Sequence, residues 1–168
     1  DMSVFIVAEA SVNHLGNLER ALKMVDEAKR VGADAIKFQC FTPEEFCHPS
    51  AMWNGESQLE MFRRFALSKD VVKKIAERAM QVGIEFFATP SDMEWARFLV
   101  KDCGVKRIKV GSDDLVHDEL LFGLAGFRLP IILSTGMANA DEIACALAAI
   151  VHRDRFAEIT LLHCVSLY

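Results

Sequence analysis

The chain lacks the sequence features that mark several common protein classes. No apolar run among its 168 residues is long enough to cross a bilayer, because charged residues interrupt each one. The N-terminal residues do not have the basic-then-apolar order of a signal peptide, which predicts a cytoplasmic protein. No run of Lys and Arg exceeds two residues and the net charge is −5, so the clustered cations that bind nucleic-acid backbones are missing. We therefore expect neither a membrane protein nor a nucleic-acid-binding protein.

Cysteine pairs and glycine-rich loops are also missing. The five cysteines are an odd number without a C-x-x-C pair, which argues against a disulfide framework and a zinc knuckle. No G-x-G-x-x-G sequence follows the first predicted strand, and this argues against a dinucleotide-binding fold. What the chain does have is apolar residues, at 52%, enough for a substantial core in one domain.

Short β-branched or aromatic runs alternate with longer helical patterns along the whole chain. Strands are predicted at Val4–Glu9, Asp34–Gln39, Glu85–Thr89, Arg107–Val110, Ile131–Ser134 and Ile159–His163. Helices are predicted at Leu18–Val31, Lys69–Val82, Asp92–Cys103, Asp118–Ala125 and Ala140–His152, with a short helix at Gln58–Phe65 in the long Cys40–Ser68 connection. This alternation indicates parallel strands joined by right-handed crossovers.

Local signals support these helix boundaries. Gly32, Gly83 and Gly104 each follow a predicted helix, where glycine supplies the left-handed conformation that ends it. Ser91 with Glu94, and Asn139 with Glu142, have the spacing of capping boxes.

Two α/β architectures fit the pattern, an open doubly wound sheet and a closed (β/α)8 TIM barrel. The sequence favours the barrel, of which residues 1–168 would supply the first six βα units. A closed barrel needs eight strands, and an unfinished one leaves two unpaired edges. We therefore expect the chain to be the N-terminal part of a larger barrel domain, with an open sheet as the alternative.

Polar residues gather where the predicted strands end, which is where the active site of a (β/α)8 enzyme lies. Lys37 and Lys109 occupy equivalent depths of two apolar strands. Two buried ammonium groups repel each other unless an anion lies between them, so the pair predicts an anion site. Each lysine alone could instead extend to solvent or form a structural ion pair with Glu9.

Five segments carry a family resemblance. They are Ala8–Gly16, Gly32–Gln39, Lys109–Leu115, Leu133–Met137 and Leu162–Tyr168. In this order, and at the predicted strand ends, they resemble the N-acetylneuraminate (sialic acid) synthase family, which includes legionaminic and pseudaminic acid synthases and spore-coat relatives. The resemblance covers essentially the whole chain.

The resemblance implies condensation of phosphoenolpyruvate with the aldehyde of an N-acetylated hexosamine, aided by Mn²⁺ or Mg²⁺. It implies catalytic roles for Glu9 and Asp114. It further implies that substrate is bound by Lys37, Gln39, Thr89, Lys109, Ser112, Ser134, Ser166 and Tyr168. The chain departs from the family pattern at Ala10-Ser11, where many members have an aliphatic residue followed by glycine.

The rest of the family pattern is expected beyond this sequence. The family's metal-binding histidines lie on strands seven and eight, so their equivalents would follow Tyr168. A C-terminal antifreeze-like domain and a homodimer are expected on the same grounds. Two other functions stay open: a Schiff-base aldolase with Lys37 or Lys109 as nucleophile, and a truncated, non-catalytic barrel module.

Overall fold

The computed structural model describes residues 4–166, which form two compact units that divide between Ser91 and Asp92. Each unit contains a three-stranded parallel sheet whose strands alternate with helices. The predicted α/β alternation is therefore confirmed. Within residues 4–166, no helix has both the length and the apolar character needed to span a membrane.

The first unit is built on a parallel sheet with the strand order β1-β2-β5. Its elements are β1 (Val7–Ser11), α1 (Leu18–Arg30), β2 (Ala35–Cys40), α2 (Pro43–Phe46), β3 (Met52–Trp53), β4 (Glu56–Ser57), α3 (Gln58–Phe65), α4 (Lys69–Val82) and β5 (Glu85–Pro90). The central strand β2 is buried almost throughout, as expected of a parallel strand covered on both faces. Helices α1 and α4 are in contact, and Arg78 of α4 binds the carboxylate of Asp26 on α1.

The connection between β2 and α4 has more structure than the sequence predicted. The helix at Gln58–Phe65 is confirmed as α3, but a short antiparallel hairpin of β3 and β4 precedes it. Strands of two residues give no periodic signal in a sequence. The rings of Phe41, Phe46 and Phe62 pack together with centroids 4.8–5.3 Å apart, so these aromatic residues form local core.

A close backbone approach joins this connection to the loop after β1. Gly16 has a φ of +73°, and a Cβ atom there would overlap the carbonyl oxygen of Arg64 near the end of α3. Only glycine meets both requirements, the left-handed backbone and the missing side chain. The loop at residues 12–17 is consequently held against α3.

The second unit has a parallel sheet with the strand order β6-β7-β8. Its elements are α5 (Met93–Lys101), β6 (Ile108–Val110), α6 (Asp118–Ala125), β7 (Ile131–Ser134), α7 (Ala140–Arg153) and β8 (Ile159–Leu162). Its core includes Ile108, Leu121, Leu133 and Ile150. The last strand does not follow the expectation of burial on both faces, because Leu161 and Leu162 remain 45% and 37% exposed.

The main departures from the predicted elements are at the first strand and at the cap of α5. The first strand begins at Val7 rather than Val4 and continues to Ser11. The predicted capping box of Ser91 is not formed, because Asp92 caps α5 and its carboxylate accepts from the backbone N–H of Trp95 at 2.8 Å. The N–H of Ser91 still donates to the carbonyl of Cys40, so the helix starts only after it.

Other local signals are confirmed. Asn139 and Glu142 form a reciprocal capping box at the start of α7. Gly32, Gly83 and Gly104 all have positive φ angles, as the helix-terminating role requires.

Candidate active-site clusters

The first cluster of polar side chains surrounds Lys37, in the middle of β2. Its side chain is 8% exposed. The ammonium lies 2.9 Å from Oε2 of Glu9 on β1 and donates to Oγ1 of Thr89 on β5 at 3.1 Å. The ion pair with Glu9 that the sequence left open is therefore formed. A buried ammonium is stabilised only when such partners replace its lost hydration.

Glu9 and Gln39 both contact Ser11. Glu9 and Lys37 are register partners across the parallel pair β1 and β2. The other carboxylate oxygen of Glu9, Oε1, accepts from the backbone N–H of Ser11 at 2.8 Å. The hydroxyl of Ser11 donates to Oε1 of Gln39 at 3.2 Å. Glu9, Ser11, Lys37, Gln39 and Thr89 thus form one connected set, called here the Lys37 cluster.

His14 lies beside this cluster in the loop after β1 and is only 1% exposed. Its Nδ1 accepts from the backbone N–H of Gly16 at 3.1 Å, and its ring stacks on Phe38. Burial lowers the pKa of the imidazole, and an interaction with the Ser11 backbone partly opposes that effect. Its Nε2 has no hydrogen-bond partner of good geometry between residues 4 and 166. His14 is therefore a buried part of the loop, and its burial disfavours the charged form of the imidazole.

The second cluster surrounds Lys109 in the middle of β6. Lys109 is 8% exposed, and its ammonium donates at 2.6 Å both to the carbonyl of Val110 and to the hydroxyl of Ser134 at the end of β7. Ser134 is itself 7% exposed. Strands β6 and β7 are adjacent in the sheet, and this adjacency brings Ser134 within reach.

Two further serines complete this second set around the backbone of Gly136. The hydroxyl oxygen of Ser112 accepts from the Gly136 N–H at 3.0 Å. A Cβ atom at Gly136 would overlap the hydroxyl of Ser166, so that serine also lies against the glycine. The Gly136 N–H is therefore bonded within the protein, to Ser112. Lys109, Ser112, Ser134, Gly136, Cys164 and Ser166 are called here the Lys109 cluster.

Cys164 is the member of this cluster to which the sequence assigned no role. Hydrogen bonding by the Ser134 hydroxyl is the main reason why the pKa of this thiol is lowered, with a further contribution from the charge of Lys109. Donors that stabilise a thiolate also suit the oxygens of a bound anion. The signal in the sequence was its place two residues beyond β8.

Asp114 lies in the loop between β6 and α6 and is partly buried. Burial raises the pKa of its carboxyl from 3.8 to about 6, and the neighbouring charge of Asp113 adds to the effect. A carboxyl group with a pKa near neutrality is suited to transfer protons. This property depends on the folded loop and was not visible in the sequence.

The structure brings most of the predicted site residues into two groups. Glu9, Lys37, Gln39 and Thr89 contact one another directly or through Ser11 in the first unit, and Lys109, Ser112, Ser134 and Ser166 gather in the second. Tyr168 lies outside the described residues. Between residues 4 and 166, no group of three His, Cys, Asp or Glu side chains could hold a metal ion.

Comparison with known proteins places this chain in a family. The sequence profile of the NeuB family matches residues 24–168. The chain belongs to the NeuB family. It is 34% identical over 179 residues to the N,N'-diacetyllegionaminic acid synthase of Legionella pneumophila, covering 99% of this chain and 50% of that protein. The N,N'-diacetyllegionaminic acid synthase of Campylobacter jejuni is 36% identical over 173 residues, covering 97% of this chain and 52% of that protein.

The fold is shared with a solved structure. The crystal structure of N-acetylneuraminic acid (sialic acid) synthetase from Leptospira borgpetersenii serovar Hardjo-bovis, in complex with citrate, superposes with a TM-score of 0.87 at 38% identity. The match covers 98% of this chain and 55% of that one. This NeuB-family chain therefore spans about half the length of the relatives it matches.

Proposed function

We propose that this NeuB-family chain forms the phosphoenolpyruvate-binding part of a synthase that joins phosphoenolpyruvate to the aldehyde of an N-acetylated hexosamine. The products would be a nonulosonic acid and phosphate. The observation that carries the proposal is the pair of buried lysines, each about 8% exposed and each contacting a hydroxyl at a strand end. Such groups bind phosphate and carboxylate oxygens, and legionaminic acid synthases are among the relatives.

The charges of the substrate suit these clusters. Phosphoenolpyruvate carries about three negative charges, which need charged or dipolar donors when water is excluded. In this proposal Lys37 with Thr89, and Lys109 with Ser134 and Ser112, bind the phosphate and carboxylate. Gln39 lines the same pocket, and Ser166 and Tyr168 contact the sugar.

The carboxyl groups take the proton-transfer roles in this proposal. C3 of phosphoenolpyruvate attacks the aldehyde carbon, water adds at C2, and the resulting intermediate loses phosphate. Glu9, held by Lys37 and the N–H of Ser11, orients or deprotonates that water. Asp114 faces the sugar and the reacting carbons, and its raised pKa allows it to protonate the oxygen that forms from the aldehyde.

A divalent metal, a cytoplasmic location and a homodimer belong to the same proposal. Mn²⁺ or Mg²⁺ would polarise the aldehyde. The described residues do not form a site for such an ion, so the steps assigned to them involve no metal. We further propose that the two units are consecutive parts of one (β/α)8 barrel, which the alternation of parallel strands and helices supports.

The test is Lys109→Ala in the intact gene product, with Lys106→Ala as the control. Lys106 is an exposed lysine just before β6. Phosphate release would be followed with phosphoenolpyruvate, Mn²⁺ and a panel of N-acetylated hexosamines. Loss of a preorganised donor to developing charge lowers kcat by roughly 10²- to 10³-fold. We expect at least that loss for Lys109→Ala and near-normal kinetics for Lys106→Ala.

Two results would contradict the proposal. One is a folded Lys109→Ala variant, checked by circular dichroism, with near-normal turnover. The other is a wild-type protein that releases no phosphate with any sugar of the panel and shows no binding of phosphoenolpyruvate by calorimetry.

A further inference from the structure

The geometry points to Ser11 as a positioning residue that fixes both Glu9 and Gln39 in the Lys37 cluster. Ser11 touches the two side chains with different groups, its backbone N–H for Glu9 and its hydroxyl for Gln39. The effect on phosphoenolpyruvate rests on the proposed function. The contacts themselves do not.

The backbone of β1 is irregular at this point. Glu9 is the register partner of Lys37, yet Ser11 is the partner of Phe38, so β1 advances by two residues while β2 advances by one. Ala10 is the extra residue of this bulge and is 2% exposed. Bulges re-aim the side chains beside them and are frequent next to active sites.

Ser11 adopts an uncommon conformation within this bulge. Its φ is +47°, in the left-handed region that non-glycine residues rarely occupy. Residues are held in such conformations when the surrounding structure over-determines them. In this conformation the Ser11 N–H donates to Glu9 Oε1 while Lys37 holds Oε2, so both carboxylate oxygens of Glu9 have a donor.

The hydroxyl of Ser11 sets the orientation of the Gln39 amide. Because Oε1 of Gln39 accepts from Ser11, the NH₂ group is the end that turns away from Ser11. Gln39 is the register partner of Thr89, whose hydroxyl accepts from Lys37. With the carbonyl end of Gln39 bound to Ser11, the NH₂ end is the one left to bind carboxylate or phosphate oxygens of an anionic substrate.

The matched variants are Ser11→Ala, Ser11→Gly and Asn54→Ala. Both Ser11 variants remove the hydroxyl and keep the backbone N–H, while glycine also removes the conformational strain. Asn54 is an exposed residue with a similar φ of +49° in the β3–β4 turn, so it controls for loss of a side chain at a left-handed position.

The first readout is the side-chain NH₂ resonance of Gln39, assigned by its disappearance in Gln39→Leu. We expect this signal to shift and broaden in both Ser11 variants and to stay unchanged in Asn54→Ala. An unchanged signal in Ser11→Ala and Ser11→Gly would overturn the inference. This readout needs no substrate, so it decides the role of Ser11 even if the proposed function fails.

The second readout is kinetic. We expect KM for phosphoenolpyruvate to rise roughly 3- to 10-fold in both Ser11 variants, as for the loss of one hydrogen bond, with kcat changed less. In the Gln39→Ala background, the Ser11→Ala change should have no further effect, because the two residues act as one unit. Independent, multiplying effects on KM would contradict the assignment.

Discussion

At the scale of single residues, the two buried lysines have different surroundings. The ammonium of Lys37 contacts the carboxylate of Glu9 and a hydroxyl, whereas that of Lys109 contacts a hydroxyl and a backbone carbonyl. A carboxylate partner neutralises charge, while dipolar partners only solvate it. We infer that Lys37 is paired with Glu9 before substrate binds.

Asp114 gives a prediction about stability and pH. Its pKa is raised to about 6 in the folded protein from 3.8, so the native state holds this proton more tightly than the unfolded chain does. The protein therefore loses stability as the pH rises from about 4 through about 6. One pKa unit corresponds to about 1.4 kcal/mol, so the cost at pH 8 is on the order of 1–3 kcal/mol after allowance for partial solvent exposure.

Asp114→Asn should remove that cost. We expect its unfolding free energy in urea to exceed that of wild type by about 1–3 kcal/mol at pH 8, with little difference near pH 4. Asp113→Asn removes only the secondary cause of the raised pKa, so its gain should be smaller. Parallel stability curves for Asp114→Asn and wild type across this pH range would show that Asp114 is not perturbed.

At the scale of secondary-structure elements, the middle and the C-terminal ends of adjacent parallel strands supply the polar groups in both units. In the first unit, β1, β2 and β5 contribute Glu9, Lys37 and Thr89 at neighbouring positions. In the second, β6 and β7 contribute Lys109 and Ser134. Parallel strands end at the same edge of a sheet, so residues far apart in sequence meet there.

The Lys109 cluster can be tested through its own cysteine. The pKa of Cys164 is lowered mainly by Ser134, so the thiol should react with iodoacetamide at a lower pH than an ordinary cysteine. Ser134→Ala should move the pH of half-maximal labelling upward, towards the ordinary value of 9. Peptide mass spectrometry would follow each site, with the exposed Cys145 on α7 as the reference for reagent activity.

An unchanged pH profile would contradict this prediction. Labelling of Cys164 with the same pH profile in Ser134→Ala and wild type would mean that the hydroxyl does not act on the thiol. Such a result would contradict the hypothesis that the donors of the Lys109 cluster together stabilise an anion.

At the scale of the whole molecule, the chain is an α/β protein of the NeuB family that spans about half the length of its relatives. Its homologues include synthases, which supports an enzymatic function. The alternative hypothesis, a Schiff-base aldolase, uses the same lysines. Imine formation requires an unprotonated lysine as the nucleophile. In the structure, the Nζ atom of Lys37 already lies 2.9 Å from a carboxylate oxygen of Glu9.

Borohydride separates these two chemistries. We expect no covalent adduct when the intact gene product is incubated with pyruvate and sodium borohydride, because the proposed synthase forms no imine. Intact-mass and peptide spectrometry would check this, with a Schiff-base aldolase treated in parallel as the positive control. A reduced adduct on Lys37 or Lys109 would establish the aldolase and remove the synthase proposal.

The sequence by itself determined the features that depend on short-range patterns. Strand–helix alternation, the capping box at Asn139 and the glycines past helix ends are local, and the burial of Lys37 and Lys109 followed from the apolar strands around them. The family could also be identified from the sequence, because its motifs occupy contiguous segments.

The tertiary structure alone decided the features that depend on contacts between distant segments. These are the bulge that lets Ser11 hold Glu9 and Gln39, and the use of the Gly136 N–H by Ser112. The cap of α5 belongs with them, because Ser91 makes a ladder contact with Cys40 and Asp92 takes the N-cap position. Each results from competition between a local preference and a partner that only folding brings close.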